Sequence, residues 1–323
     1  MYKRQEARVF GVRSAMPSSQ AAKLCKDAIF VPHRFDVYRK ASKSIHQVFK
    51  KYATEIEPLS LDEAYLDVTE KAKELGSATE VAKQIKRDIK QATKLTASAG
   101  VSYNKFLAKI ASDMDKPDGI FVISPDSALA FIEQLEIRKF YGVGKVTEKK
   151  MHKLGIFTGA DLKALSLAQL TKNFGRSGTY YYNVARGIDD RPVKSHRTRK
   201  SIGAETTFQS NLSDKAEIWQ TLLRLSERVH SSMKSKSTKA RTITVKVKYA
   251  DFSQITRSQT VLELIESQEQ MQLLLPALLK KTEVGQRPIR LIGVAVSNLE
   301  LETQASENQA ASGSETQPQL GLF

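Results

Sequence analysis

Glu57-Pro58-Leu59-Ser60-Leu61-Asp62-Glu63-Ala64-Tyr65-Leu66-Asp67-Val68 sets two adjacent carboxylates, Asp62 and Glu63, inside an apolar, β-prone run. Neighbouring residues on a strand point to opposite faces, so both can serve one cation only where the backbone turns. Pro58 is excluded from a central strand and fits a hairpin corner. Two carboxylates at the tip of a sheet suit Mg²⁺, which takes one or two and completes its shell with water and substrate phosphates. An exposed acidic turn is the simpler reading of these residues taken alone. The rest of the chain decides between the two.

Around this stretch the sequence predicts an α+β domain. A loop and a helix over Gln20–Cys25, capped by Ser18 or Ser19, come first. Helices are expected over 35–53, with a stripe of Val37, Ala41, Ile45, Val48 and Tyr52, and over 77–93. Strands are expected over 96–101 and 119–123, with a helix over 103–112 between them, all packed on an antiparallel-type sheet. The small residues Ala97, Ser98, Ala99 and Gly100 would let another backbone lie close. From 126 to 187 the spacing becomes wholly helical and is punctuated by glycines. Residues 189–201 carry no apolar periodicity and read as a basic linker. Residues 202–298 alternate strand, helix, strand, helix, strand. In the central strand Ile243, Val245, Val247 and Tyr249 face a core, and Thr242, Thr244, Lys246 and Lys248 face out. The tail, 301–318, has the composition of a disordered segment.

Charge narrows the class of partner. Lys and Arg number 51 against 35 Asp and Glu, a formal charge of +16 in 323 residues. Such an excess favours a polyanion, most simply nucleic acid. It is concentrated in 194–248, where thirteen basic residues, Arg199, Lys200, Lys246 and Lys248 among them, face four acids. Tyr141-Gly142-Val143-Gly144-Lys145 resembles the turn of a helix-hairpin-helix: Gly142 and Gly144 bring backbone N–H groups to a phosphate and Lys145 adds a point charge. Phe174-Gly175-Arg176-Ser177-Gly178 repeats the glycine pair in the same module. Arg8 and Lys116 become candidate triphosphate ligands if the carboxylate tip holds metal. The lone Cys25 excludes an internal disulfide framework, and together with the lack of an apolar run near ~18 residues it points to a cytoplasmic protein with no membrane partner. Gln319-Leu320-Gly321-Leu322-Phe323 ends a polar tail on apolar residues, a composition suited to a partner's pocket.

Four segments carry a resemblance: Phe10–Pro17, Ile56–Tyr65, Phe106–Met114 and Lys116–Gly119. Together they resemble the Y-family DNA polymerases, of the bacterial DinB type, over nearly the whole chain from about Ala7. The resemblance implies a right-hand architecture: partial fingers over 1–32, a palm with mixed sheet and helices over 33–124, a helical thumb over 125–188, a linker over 189–200, an α/β little finger over 201–300 and a tail over 301–323. It implies that Asp62 and Glu63 hold two catalytic Mg²⁺ ions and that Arg8 and Lys116 contact the incoming deoxynucleoside triphosphate. It also implies that a monomer works on primer-template DNA in error-prone translesion synthesis, and that Gln319, Leu320, Leu322 and Phe323 bind the sliding clamp. The family opens with a strand bearing a further metal-binding Asp and an aromatic gate; this chain shows no such segment, and Gln5 stands where a triphosphate-binding tyrosine is expected. The expectation is therefore a truncated, weakly active or inactive form. A non-catalytic DNA- and clamp-binding protein and a metal-dependent nuclease are the competing readings.

Overall fold

A computed structural model of the chain describes residues 5–301; Gln319, Leu320, Leu322 and Phe323, expected from the sequence to bind a clamp, and the tail from residue 302 on lie outside the described residues. The chain divides into two compact units, one ending at His196 and the other beginning at Arg197.

The first unit begins with two short helices, α1 (Gln5–Val9) and α2 (Ser18–Leu24). Pro17, not Ser18 or Ser19, occupies the N-cap of α2, and no side chain caps it. The helix therefore starts earlier than the serines suggest, because Pro17 has the extended backbone of a cap residue and its carbonyl accepts from Gln20 and Ala21. Cys25 is the half-buried C-cap of this helix. The helix expected over 35–53 is α3 (Phe35–Phe49). Val48 is buried on it, whereas Val37 stays exposed.

The hairpin forms where the sequence placed it. Strands β1 (Ile56–Pro58) and β2 (Ala64–Leu66) pair antiparallel, with Ile56 opposite Leu66 and Pro58 opposite Ala64. Next come α4 (Thr69–Leu75) and α5 (Ala78–Thr93). Ser77 caps α5 by accepting from the Glu80 amide, which satisfies one of the helix's free N–H groups. Val81, Ile85 and Ile89 pack with Val48 into a small core that also takes Leu66 of the hairpin.

The unit's other sheet overturns one expectation. Strands β3 (Ala99–Ser102) and β4 (Ile120–Ile123) run parallel, not antiparallel. The helix between them, α6 (Lys105–Met114), is the crossover that a parallel pair requires. Gly100 shows how tightly it packs. A Cβ built there would stand 2.1 Å from the Ala108 carbonyl oxygen and 2.2 Å from the Ser112 nitrogen, so α6 lies directly on the strand's backbone.

The helical part is α7 (Pro125–Gln134), α8 (Lys145–Lys153), α9 (Gly159–Ala164), α10 (Leu167–Phe174) and α11 (Arg176–Val184). Its core, from Ile132 and Ile137 to Leu170 and Val184, is continuous with Phe106, Leu107 and Ile110 of α6.

The second unit is one antiparallel sheet in the order β5-β8-β6-β7. The strands are β5 (Ser201–Leu212), β6 (Thr238–Tyr249), β7 (Gln254–Ile265) and β8 (Ile289–Leu301); α12 (Lys215–Lys234) and α13 (Gln268–Lys280) pack on their apolar side. The sequence pattern missed β7. It is an edge strand whose outward positions include Leu262, 93% exposed, so alternation there does not separate core from solvent. Thr242 is a second correction: it is buried, bonded to the hydroxyl of Thr260 and the amide of Asn298, because β6 is a central strand.

Candidate active site and nucleic-acid contacts

Asp62 and Glu63 lie in the hairpin connection 59–63, and both are exposed. The connection closes on itself: the amides of Leu59 and Ser60 both donate to the Glu63 carbonyl, at 2.9 and 3.3 Å. Asp62 Oδ1 accepts from the Ser60 hydroxyl at 2.7 Å. Glu63 Oε1 lies 3.2 Å from Lys109 Nζ on α6. The backbone thus turns at the two neighbouring carboxylates, and the partners present are a hydroxyl and an ammonium.

No group of three or more His, Cys, Asp or Glu that could hold a metal ion occurs among the described residues. Two exposed carboxylates nonetheless fit a hard divalent cation that keeps most of its shell for water and phosphate.

Below the tip, one helix holds the hairpin through two lysines a turn apart, Lys105 and Lys109 of α6. Lys105 is only 8% exposed. Its ammonium lies 2.5 Å from Glu57 Oε2 on β1, donates to the Pro192 carbonyl at 3.1 Å, and stands 5.0 Å from the ring centre of Tyr65 on β2. Sequence reading missed both lysines. The only signal was their i, i+4 spacing on a helix beside the acidic stretch.

The segment read as a linker is in large part docked. The Lys194 amide donates to Glu57 Oε2 at 3.0 Å, and Ser195 donates from its amide and hydroxyl to Glu55 Oε2 at 3.0 and 2.5 Å. Ser195 Oγ also accepts from the Ile56 amide at 3.0 Å. Asp189 Oδ2 accepts from the Phe106 amide at 2.9 Å, so a carboxylate from this segment caps α6, where the helix dipole favours it. Arg191 grips the same carboxylate through two bonds, 2.6 and 2.8 Å long. Burial pushes the Asp189 carboxyl up, but Arg191 and the Phe106 amide outweigh it and hold it below the ordinary value. Glu57 behaves alike: burial raises it, while Lys105 and the Lys194 amide bring it below the ordinary value. Burial raises the Tyr65 hydroxyl well above its usual range, and that hydroxyl has no hydrogen-bond partner among the described residues.

Of the other candidates, Lys116 follows the end of α6 and pairs with Asp113 at 2.6 Å. Arg8 is exposed, on α1. Gly142, at φ 91°, and Gly144, the N-cap of α8, lie directly before Lys145, which opens that helix. The glycine pair at 175 and 178 divides: Gly175 is open, but a Cβ at Gly178 would stand 2.5 Å from the Leu170 backbone. Gly178 thus serves the packing of α11 on α10, not a phosphate. Arg199 and Lys200 are exposed. On β6, Lys246 is paired with Glu205 at 2.8 Å, while Lys248 is half-buried.

Known proteins match this arrangement along the chain. The impB/mucB/samB family matches residues 3–113, its C-terminal domain matches 199–311, and the thumb domain of DNA polymerase iota matches 139–189. DNA polymerase IV 2 of Agrobacterium fabrum is 50% identical over 317 residues, covering 98% of this chain and 87% of that protein. DNA polymerase IV of Alkalilimnicola ehrlichii is 50% identical over 306 residues, covering 95% and 86%. Among solved structures, a Y-family DNA polymerase chimera of Dbh and Dpo4 superposes with a TM-score of 0.84 at 31% identity, covering 92% of this chain and 86% of the chimera. An insertion ternary complex of Dbh DNA polymerase gives 0.63 at 30% identity, with the same coverage. The chain belongs to the impB/mucB/samB family, among the Y-family DNA polymerases of the DNA polymerase IV type.

Proposed function

We propose that the chain carries out error-prone translesion DNA synthesis, with Asp62 and Glu63 as the carboxylates that hold two Mg²⁺ ions. One observation carries this reading: adjacent, exposed carboxylates sit on a closed hairpin tip, backed by the lysine face of α6. Asp62 and Glu63 would hold the divalent cations, whose charge would favour ionisation of a primer 3′-hydroxyl and offset the charge on the leaving pyrophosphate. The chain's own residues supply position. Arg8 and Lys116 take the triphosphate oxygens, Arg with a planar fork and Lys as a point charge. Lys116 must exchange Asp113 for phosphate to do so.

Gly142, Gly144 and Lys145 hold a DNA backbone without reading its sequence. Arg199, Lys200, Lys246 and Lys248 do the same along the basic sheet. Gln319, Leu320, Leu322 and Phe323 engage a sliding clamp, and the protein works as a monomer. No described helix is long and apolar enough to cross a membrane.

Primer extension with Mg²⁺ tests the reading. Asp62→Ala and Glu63→Ala each lower incorporation by about a thousandfold or more, while duplex binding stays within about twofold of the parent. Incorporation that survives both substitutions overturns it. A chain that binds DNA but never extends a primer is a DNA-binding protein.

A further inference from the structure

We propose that Lys105 is a positioning residue for the carboxylate tip, tying both strands of the hairpin to the segment that leaves α11. The inference rests on the reading of Asp62 and Glu63 as metal ligands.

A lysine is an unfavourable choice for the first turn of a helix, where the dipole repels its charge, and a buried ammonium is costly unless fully partnered. Lys105 occupies both positions at once. Its partners account for that. Glu57 is on β1, Tyr65 is on β2, and Pro192 is on the docked segment. An ion pair kept only for stability needs Glu57 alone. Three contacts on three separate pieces of chain fix an orientation, because an ammonium has three N–H directions to spend. The two hairpin contacts flank the connection 59–63 at its base, and Lys109 reaches Glu63 on the same connection from one turn further along α6. The tip is therefore gripped at its root by Lys105 and touched at its end by Lys109.

The third contact extends the grip. Between Gly187, whose carbonyl accepts from Tyr103 and Asn104 at the entry to α6 at 3.1 and 2.8 Å, and Ser195, the chain is bonded at several points to α6 or to β1. The boundary between the two units follows at His196 and Arg197. The chain that leads to the second unit is thus fastened to the hairpin that carries Asp62 and Glu63. From α6, the Lys105 side chain touches hairpin and segment together. A site loosened by an ångström through a distant change loses rate steeply, and this is the route by which Lys105 acts.

The experiment compares Lys105→Met, Lys105→Arg, Ser195→Ala and Asp62→Asn in the full chain. Mn²⁺ affinity is read by electron paramagnetic resonance without nucleotide, beside single-turnover incorporation and thermal melting. K105M weakens Mn²⁺ binding by about tenfold and lowers kcat by about a hundredfold, and K105R recovers most of both. S195A removes the hydroxyl's bonds to Glu55 and to the Ile56 amide, lowers melting less than K105M does, and weakens Mn²⁺ binding by about threefold. K105M that melts early yet binds Mn²⁺ like the parent overturns the proposal and leaves a stabilising ion pair. Should K105M not fold, S195A decides: parental Mn²⁺ affinity overturns the proposal. D62N separates the two levels. If it weakens Mn²⁺ binding and K105M and S195A do not, the proposal alone fails; if D62N also leaves binding unchanged, the metal reading fails and takes the proposal with it.

Discussion

Lys109 Nζ stands 3.2 Å from Glu63 Oε1, so the carboxylate proposed to hold metal already has a cation beside it. The lysine side chain is 18% exposed and the glutamate 44%, so the pair is only partly screened. A divalent ion at Glu63 meets a positive neighbour, and the repulsion between them is worth roughly 1 kcal/mol at such an exposed site. Lys109→Met should therefore tighten Mn²⁺ binding, by about fivefold, the opposite direction from K105M. Titration of the two variants side by side checks this. Weaker binding in K109M would mean that the lysine orients Glu63 rather than competing for it.

Gly100 predicts a stability effect with no functional residue involved. Its missing Cβ is where the Ala108 carbonyl and Ser112 nitrogen of α6 sit, at 2.1 and 2.2 Å, and backbone cannot swing aside as a side chain can. Gly100→Ala should cost about 2–3 kcal/mol and lower the melting temperature by about 5–10 °C. Gly144→Ala is the control, since nothing lies within 4 Å of its Cβ and its φ of −89° suits any residue. Differential scanning calorimetry of both variants decides the matter.

These two sites show what was legible in the sequence. The hairpin could be read because Pro58 and the paired carboxylates both demand a turn, and the small residues of β3 could be read as a close approach. The direction of β3 against β4 could not, because alternation along a strand carries no sign of its neighbour's direction. Thr242 was misplaced for a related reason: period two marks a face, but a central strand buries part of its polar face as well. Asp189–Ser195 looked like free linker because its bonds run through backbone amides, two glutamates and an aspartate, none of which leaves an apolar rhythm. Lys105 was missed likewise, since burial of a lysine shows only once its three partners are assembled.

The basic sheet gives a graded prediction. Lys246 is tied to Glu205 at 2.8 Å, and no ion pair engages Lys248 among the described residues. If both face a DNA backbone, Lys248 offers a whole charge and Lys246 a partly neutralised one. Lys248→Ala should reduce the slope of log K against log salt by about one. Lys246→Ala should change it less, and Glu205→Gln should strengthen binding. Fluorescence anisotropy across a salt series measures all three, and equal slopes for the two lysine variants would refute the ranking.

Glu57 also makes the hairpin's attachment sensitive to acid. Its carboxyl is raised by burial but lowered further by Lys105 and the Lys194 amide, so its folded pKa lies below the ordinary 4.5. Asp189 likewise lies below 3.8, with burial opposed by Arg191 and the Phe106 amide. A carboxylate whose pKa is depressed on folding contributes its stability above the unfolded value, and that contribution disappears as pH falls through the folded value. The attachment should therefore hold unchanged at neutral pH and weaken from 4.5 downward, first at Glu57 and then at Asp189. Glu57→Gln removes the first of these groups. Its melting temperature should lie below the parent's at neutral pH, with the gap closing as pH drops beneath 4.5. A gap that stays constant across that window would mean that the Glu57 charge contributes nothing beyond its shape.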